Sequence, residues 1–425
     1  MRVGGSANNN ALSRRRVGRT VSEDGDGSHS IGSNRGLLGC LLGTWLLTVA
    51  AHHYIIAPAS VLSVVAEDLE VTTATAVWLV SAVPASWAVT NFALGVWIDR
   101  LGDYRMIGIG TAVVVVAGVW SYWAATGGSF GLLLSSRLFA GVAVGVIWTA
   151  STNLIGGAVS TSNRALAIGV FVTSAPAGFA IGQLTTPVIA GSFDWPSSLL
   201  VISPVAVAAF GLVTISVRRM TIEPTTNTAS MRENFSAVLS HRIVWFGCAM
   251  AFAAYAYYLF INSWMPTYLG QRFALSTTLS GALSAVFPAM GVLSRAGGGL
   301  ISDRLLGSRR VPVLRVSFLI SIPTVVLIGL TDRLWIIIAS LVVAGFVIQL
   351  TFGVVYSYVQ EVVEPEITGT ALAFLTTAGI TGAFTAPIIA GELLEWTGSY
   401  LSAFGYAGGL IVIGSVIAWR APESR

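Results

Sequence analysis

From residue 36 to residue 420 the chain runs through one apolar segment after another, separated only by short polar breaks. A helix needs about 20 predominantly apolar residues to cross the hydrocarbon core of a bilayer. No water is present there to satisfy backbone groups, so only helices and closed barrels can span it. Segments of this length and number predict an all-α membrane protein with twelve transmembrane helices: 36–66, 73–98, 104–125, 130–155, 163–191, 195–217, 243–269, 275–302, 311–331, 334–360, 367–391 and 399–419. Pro58, Pro84, Pro176, Pro187, Pro266, Pro288 and Pro387 fall inside them. Membrane helices tolerate proline where neighbours satisfy the freed carbonyls. Only 10% of the 425 residues are charged, against roughly a quarter in a soluble domain. That excludes an ordinary soluble enzyme.

The charged residues that remain set the topology. All 23 basic residues are arginine. With the amino terminus inside, the inner side holds Arg2, Arg14–Arg16, Arg19, Arg35, Arg100, Arg105, Arg164, Arg218, Arg219, Arg232, Arg242, Arg304, Arg309, Arg310, Arg315, Arg420 and Arg425, and the outer loops only Arg272 and Arg333. Arginine accumulates on the cytoplasmic side of membrane proteins, so both termini are expected in the cytoplasm, in a plasma-membrane protein. One loop departs from the pattern. Residues 360–366 carry Glu361, Glu364 and Glu366 and no arginine.

Residues 1–35 are rich in Gly, Ser, Asn and Arg and read as a disordered cytoplasmic tail. Arg14-Arg15-Arg16 does not read as an export signal, because the acidic stretch 23–27 separates it from the first apolar segment. The two cysteines, Cys40 and Cys248, sit inside apolar runs and cannot form a disulfide framework. Dispersed arginines make no nucleic-acid footprint. Neither a clustered metal-ligand set nor a cofactor motif is present, and no HExxH or nucleophile elbow points to an enzyme.

The chain repeats itself. Gly39-Cys40 and Pro58 match Gly247-Cys248 and Pro266; Gly95-x3-Asp99-Arg100 matches Gly299-x3-Asp303-Arg304; Pro187-Val188-Ile189-Ala190-Gly191 matches Pro387-Ile388-Ile389-Ala390-Gly391. The three matches run in order at a nearly constant offset, which points to an internal duplication. The expected plan is two pseudo-symmetric six-helix bundles, 36–217 and 243–420, joined by a polar linker, 218–242, and ended by a short tail, 421–425. Parallel repeats of this kind place a substrate between the halves near the midplane.

The stretch Gly95-Val96-Trp97-Ile98-Asp99-Arg100-Leu101-Gly102-Asp103-Tyr104-Arg105 resembles the loop 2–3 signature of the major facilitator superfamily, G-x3-D-[RK]-x-G-x-[RK]-[RK]. Gly299–Arg310 is similar to its counterpart in loop 8–9, with Leu306 as an extra residue before Gly307. Arg137-x3-Gly141-x3-Gly145 resembles the fourth-span signature, and the resemblance covers residues 36–420. It implies a gating cluster of Gly95, Asp99, Arg100, Gly102 and Arg105, in which Asp99 pairs with Arg105 and latches the cytoplasmic side. Gly299, Asp303 and Arg304 form its second copy. It also implies a monomer that moves a small solute by alternating access.

Polar groups at depth are the candidates for the solute. Arg137 lies roughly 10 Å inside the fourth span and Arg295 roughly 12 Å inside the eighth, at 1.5 Å per residue. Buried ionisable groups in membranes face a cavity or a partner, so both are candidate anion ligands or helix-packing groups. By the resemblance, the eighth-span arginine is the one some organic-anion carriers use on a substrate carboxylate. His52 and His53 fall at the middle of the first span, and successive residues point about 100° apart, so at most one faces a pathway fully. Gln183, Tyr258, Asn262, Trp264 and Gln349 complete the set. No Asp or Glu lies near the middle of any predicted span. A cation carrier needs such a carboxylate, so an organic or inorganic anion is the expected cargo, with a proton or a counter-anion as the coupling partner. The fifth span reads Gly182-Gln183-Leu184-Thr185-Thr186-Pro187, without the Gly-Pro-x2-Gly-Gly run of the family's antiporters. The rival readings are an efflux antiporter for amphipathic compounds and a non-transporting receptor or sensor on the same fold.

Overall fold

The computed structural model describes residues 27–220, 231–305 and 309–423; for 27–34, 92, 94, 96, 161, 162, 231–235, 296–305, 365 and 366 it describes the backbone alone. Twelve helical stretches are long and apolar enough to cross a bilayer, numbered here as spans 1 to 12: Arg35–Ser60, Thr73–Asn91, Asp103–Thr126, Phe130–Ala158, Asn163–Ser192, Ser197–Val217, Arg242–Phe273, Thr277–Arg295, Val311–Leu330, Leu334–Gln360, Ile367–Thr397 and Tyr400–Arg420. The helices that hold spans 2 and 8 continue to Leu101 and Leu305. An even number of crossings puts both chain ends at one end of the molecule, the terminal end; the other is called the distal end.

Boundaries differ from the expected ones where local chemistry intervenes. The first helix begins at Gly27, inside the expected tail, and stops at Ser60; a short helix, Leu62–Asp68, takes up the rest of the apolar run. Span 5 is interrupted at Thr173, between Thr161–Val172 and Ser174–Ser192. Pro176 follows the break; its ring lacks an N–H and clashes with the carbonyl four residues back, so the ladder cannot run through unbroken. The expected linker contains a helix of its own, Met231–Ser240. Between spans 2 and 3 the turn is a single residue, Gly102, at φ 82° and ψ 148°. That conformation is open to glycine and strained for any side chain.

The neighbours of each span repeat from one half of the chain to the other. Span 1 packs on spans 5 and 6, span 2 on span 4, and span 3 on spans 4 and 6. In the second half span 7 packs on spans 11 and 12, span 8 on span 10, and span 9 on spans 10 and 12. Across the halves the main contacts are span 5 with span 8 and span 2 with span 11. The most apolar window of span 1 is 78% buried and that of span 6 only 33%, so span 1 is central and span 6 faces lipid. Lipid is as apolar as leucine, so the spans are drawn together by close packing of small residues rather than by hydrophobicity. Gly141 shows this: a Cβ there would collide with Ser86 and the Val83 carbonyl of span 2.

The acidic loop at 360–366 is neutralised locally. Glu361 accepts from Arg310 Nη2 at 2.6 Å and Nε at 2.9 Å, and Glu364 lies 3.5 Å from His241. Glu361 is thus matched by an arginine of the same end, which eases the conflict with the arginine count; the side chain of Glu366 lies outside the described residues.

Candidate functional site

Eight spans meet around a narrow central cavity of about 50 Å³. Spans 1, 2, 4 and 5 contribute His52 and Ile55, Pro84 and Trp87, Trp148, and Ala175 and Phe179. Spans 7, 8, 10 and 11 contribute Tyr255, Tyr258 and Leu259, Arg295, Tyr356, and Thr376, Ile380 and Ala383. Four spans from each half take part, and the equivalents of spans 3 and 6, namely 9 and 12, stay outside.

Arg295 is the one formally charged side chain in this lining. Its guanidinium stacks over the Phe352 ring at 4.5 Å and the Tyr258 ring at 5.4 Å. Its Nε donates to Gln349 Oε1 at 3.2 Å. Gln349 is itself held, because its amide donates to the Phe287 carbonyl at 3.1 Å and the Gly345 carbonyl at 2.9 Å. Among the described residues the two Nη groups of Arg295 have no protein acceptor. Aromatic faces stabilise a cation in a low-dielectric site without using its N–H groups. The planar fork therefore keeps the donors that match a carboxylate or other oxyanion.

Arg137 is buried too, and its Nε and Nη2 are taken by backbone carbonyls, while Nη1 has no partner among the described residues. Its Nε donates to the Leu79 carbonyl, and Nη2 donates to the carbonyls of Tyr54 and Ile55, both at 2.9 Å. Its guanidinium lies 4.5 Å from the Tyr54 ring. It ties span 4 to spans 1 and 2 and does not line the cavity, so the expectation of a second anion ligand is corrected to helix packing. Among the described residues the buried charged side chains are Arg137, Arg295 and Arg310, with no carboxylate.

The two histidines separate. His52 lines the cavity, with Nδ1 2.8 Å from the Thr48 carbonyl and its ring edge-on to Trp148 at 5.6 Å. His53 turns to span 5, where its Nε2 meets Thr185 Oγ1 at 3.0 Å. Thr185 gives its own proton to the Ile181 carbonyl, so His53 Nε2 is the donor.

The other candidates serve packing. Gln183 Nε2 donates to the Asn262 carbonyl at 3.0 Å and its Oδ1 at 3.2 Å, joining spans 5 and 7. Trp264 donates to the Pro387 carbonyl at 2.9 Å. These contacts lie distal to the cavity, where the halves also touch at glycines. A Cβ on Gly281 would meet the Gln183 carbonyl at 2.5 Å, and one on Gly391 would meet the Ala74 Cα at 3.2 Å. On the terminal side Asn91 Nδ2 joins span 2 to span 11, donating to the Ala373 carbonyl at 3.1 Å and Thr377 Oγ1 at 3.0 Å.

The expected latch pair is not formed in this conformation. Asp99, Arg100 and Arg105 are exposed and the described contacts include no Asp99–Arg105 ion pair. The partly buried acid of the turn is Asp103, which has Asn153 of span 4 as its neighbour. A Cβ on Gly95 would meet nothing within 4 Å. The side chains of Gly299, Asp303 and Arg304, and all of Leu306 and Gly307, lie outside the described residues. Sequence reasoning missed Trp87, Trp148, Phe179, Tyr255, Tyr356 and Asn91. The signal available was a concentration of aromatic residues at mid-depth in spans 2, 4, 5, 7 and 10.

The Major Facilitator Superfamily model matches residues 41–379 and 299–425. A hexuronate transporter of Bacillus subtilis (strain 168) is 26% identical over 359 residues, 79% of this chain and 82% of that protein. The sodium-dependent phosphate transport protein 1, chloroplastic, of Arabidopsis thaliana is 26% identical over 356 residues, 78% of this chain and 68% of that protein. A probable nitrate transporter, NarT, of Staphylococcus aureus (strain N315) is 23% identical over 278 residues, 64% of this chain and 68% of that protein.

Proposed function

The chain belongs to the major facilitator superfamily, and on that premise we propose that it carries a small organic or inorganic anion across the plasma membrane by alternating access, with Arg295 as the anion ligand. The observation that carries this reading is the chemistry of the cavity: one guanidinium with its Nη groups unused, aromatic walls, and no carboxylate. A buried cation in a low-dielectric pocket attracts one negative charge strongly. The same field repels a cation, which weighs against carriage of cationic amphiphiles. Relatives named for hexuronate, phosphate and nitrate transport support an anion, although these cargoes differ in size and charge.

The repeated packing of the spans supports two bundles, 36–217 and 243–420, that rock about the cavity. In this conformation the distal contacts at Gln183–Asn262, Gly281 and Gly391 act as the closed gate, with Asn91 a thinner barrier on the terminal side. The arginine distribution supports a cytoplasmic terminal end, so that the closed gate faces outward. Gly95, Asp99, Arg100, Gly102 and Arg105 then belong to the gate that forms in the opposite conformation, where Asp99 can reach a cation it does not touch here. The carrier acts as a monomer.

Counterflow in proteoliposomes tests the reading. Vesicles preloaded with individual carboxylates or oxyanions should accumulate labelled anion, and loading with organic cations should not. Exchange of a cation in preference to every anion would overturn it.

A further inference from the structure

His52 is held in one orientation by Thr48. A backbone carbonyl can only accept, so the Nδ1 that lies 2.8 Å from the Thr48 carbonyl carries the proton. Neutral His52 therefore presents a bare lone pair at Nε2, and only protonation makes that atom a donor. Among the described residues Nε2 has no protein partner. The ring edge is fixed by Trp148 at 5.6 Å and Phe179 at 5.8 Å.

The charges around it are few. Arg295 of span 8 lines the same cavity and acts electrostatically on His52. Span 7 brings Tyr255 and Tyr258, and span 10 brings Tyr356. Arg137 of span 4 is bound to the carbonyls of Tyr54 and Ile55. Spans 2, 5 and 11 present Trp87, Phe179 and Thr376, and span 6 meets span 1 through Leu212, Val213 and Ser216, none of them titratable. No acidic side chain lines the cavity to hold a proton in its place.

Charge matching then separates two classes of cargo. A monoanion on Arg295 leaves the cavity neutral, and His52 has no reason to bind a proton. A dianion on Arg295 leaves one uncompensated negative charge beside Nε2, in a pocket where such a charge is poorly solvated. An opposite charge within about 4–6 Å raises the proton affinity of an imidazole by an amount worth tenfold or more in linked binding. We propose that His52 is the specificity-determining residue that couples dianion binding to uptake of one proton on Nε2, while monoanions bind at Arg295 without a proton. The proposal rests on the assignment of Arg295 as the anion ligand. It makes each loaded form electrically alike, so one carrier can accept both charge classes at the same site.

Nitrate and sulfate serve as probes, because neither changes protonation between weakly acidic and weakly alkaline pH. Calorimetric titration of the full chain in two buffers of different ionisation enthalpy counts the protons taken up per anion. The expected result is about one proton for sulfate and about none for nitrate, with sulfate affinity falling as pH rises and nitrate affinity flat. In His52→Gln the amide can still donate to the Thr48 carbonyl, which leaves its oxygen toward the cavity as an untitratable image of the neutral imidazole. There the linked proton should vanish, and sulfate affinity should fall at least about tenfold more than nitrate affinity. Equal proton uptake for the two anions, proton uptake that survives in His52→Gln, or binding of nitrate without any binding of sulfate at acidic pH would each overturn the proposal. Failure of the underlying assignment looks different: either no anion binds, or both bind undiminished to Arg295→Gln.

Discussion

Two arginines lie deep in the membrane-spanning part of this molecule, each with its guanidinium over a tyrosine ring: Arg137 over Tyr54 and Arg295 over Tyr258. Residue type, burial and approximate depth are alike. Their acceptors differ. Arg137 stands where spans 1, 2 and 4 press together, and three backbone carbonyls converge on it from the other two spans. Arg295 stands where spans draw apart around a cavity; one glutamine oxygen takes its Nε, and rings cover its faces. A buried arginine is thus a structural tie where its N–H groups meet carbonyls and a ligand site where they meet empty space. Charge alone does not decide between the two.

The largest test of this contrast is Arg295→Gln. Removing one member of a buried charge pair costs enough to change affinity by about 100-fold. Anion uptake should therefore collapse while the protein still reconstitutes folded. Retained uptake would place the ligand site elsewhere. Arg137→Leu should do the reverse. It strands carbonyls of Leu79, Tyr54 and Ile55, a loss of about 3 kcal/mol, read as a lower melting midpoint in detergent. Anion affinity of the surviving folded fraction should change far less than in Arg295→Gln. If the Arg137 variant lost affinity without losing stability, the two arginines would share one task and the contrast would fail.

Hydropathy and repetition made the spans and the family legible, because both are properties of short stretches that survive without knowledge of packing. The absence of carboxylates near the middle of the spans was legible for the same reason. The direction in which a side chain points was not. Arg137, Gln183, Asn262 and Trp264 were singled out because polarity at depth is rare, yet Arg137, Gln183 and Trp264 donate to a neighbouring helix and Asn262 donates to the Tyr258 carbonyl of its own helix. Trp87, Trp148 and Tyr356 went unnoticed because aromatic residues are ordinary in membrane spans, and only the meeting of eight helices makes them walls. The latch pair is open in this conformation for a different reason. A motif specifies residues that must meet in some state of a moving protein, and in this one Asp99 and Arg105 stand apart.

Smaller effects sharpen the contrast further. Gln349 touches Arg295 and lies outside the cavity lining, so it acts by positioning the guanidinium. Gln349→Leu should raise KM about tenfold with little change in kcat, because the translocating machinery is intact. A fall in kcat at constant KM would mean that Gln349 matters for motion rather than for aim. Gln349→Glu should be harsher than the leucine variant, since its carboxylate would occupy the charge that the anion needs.

The mildest substitutions compare the two tyrosines. Tyr54 uses its hydroxyl, which lies 2.6 Å from Ser121 Oγ, whereas among the described residues the Tyr258 hydroxyl has only Asn262 near it and no hydrogen bond of ordinary geometry. Tyr54→Phe should therefore cost about 1 kcal/mol of stability, and Tyr258→Phe should be nearly silent on the same measure. Tyr258→Leu removes the ring as well, and with it a cation–π contact worth about 0.5–2 kcal/mol, so anion affinity should weaken several-fold beyond the phenylalanine variant. Equal affinities for Tyr258→Phe and Tyr258→Leu would mean that Phe352, which is nearer to the guanidinium, carries the aromatic stabilisation by itself.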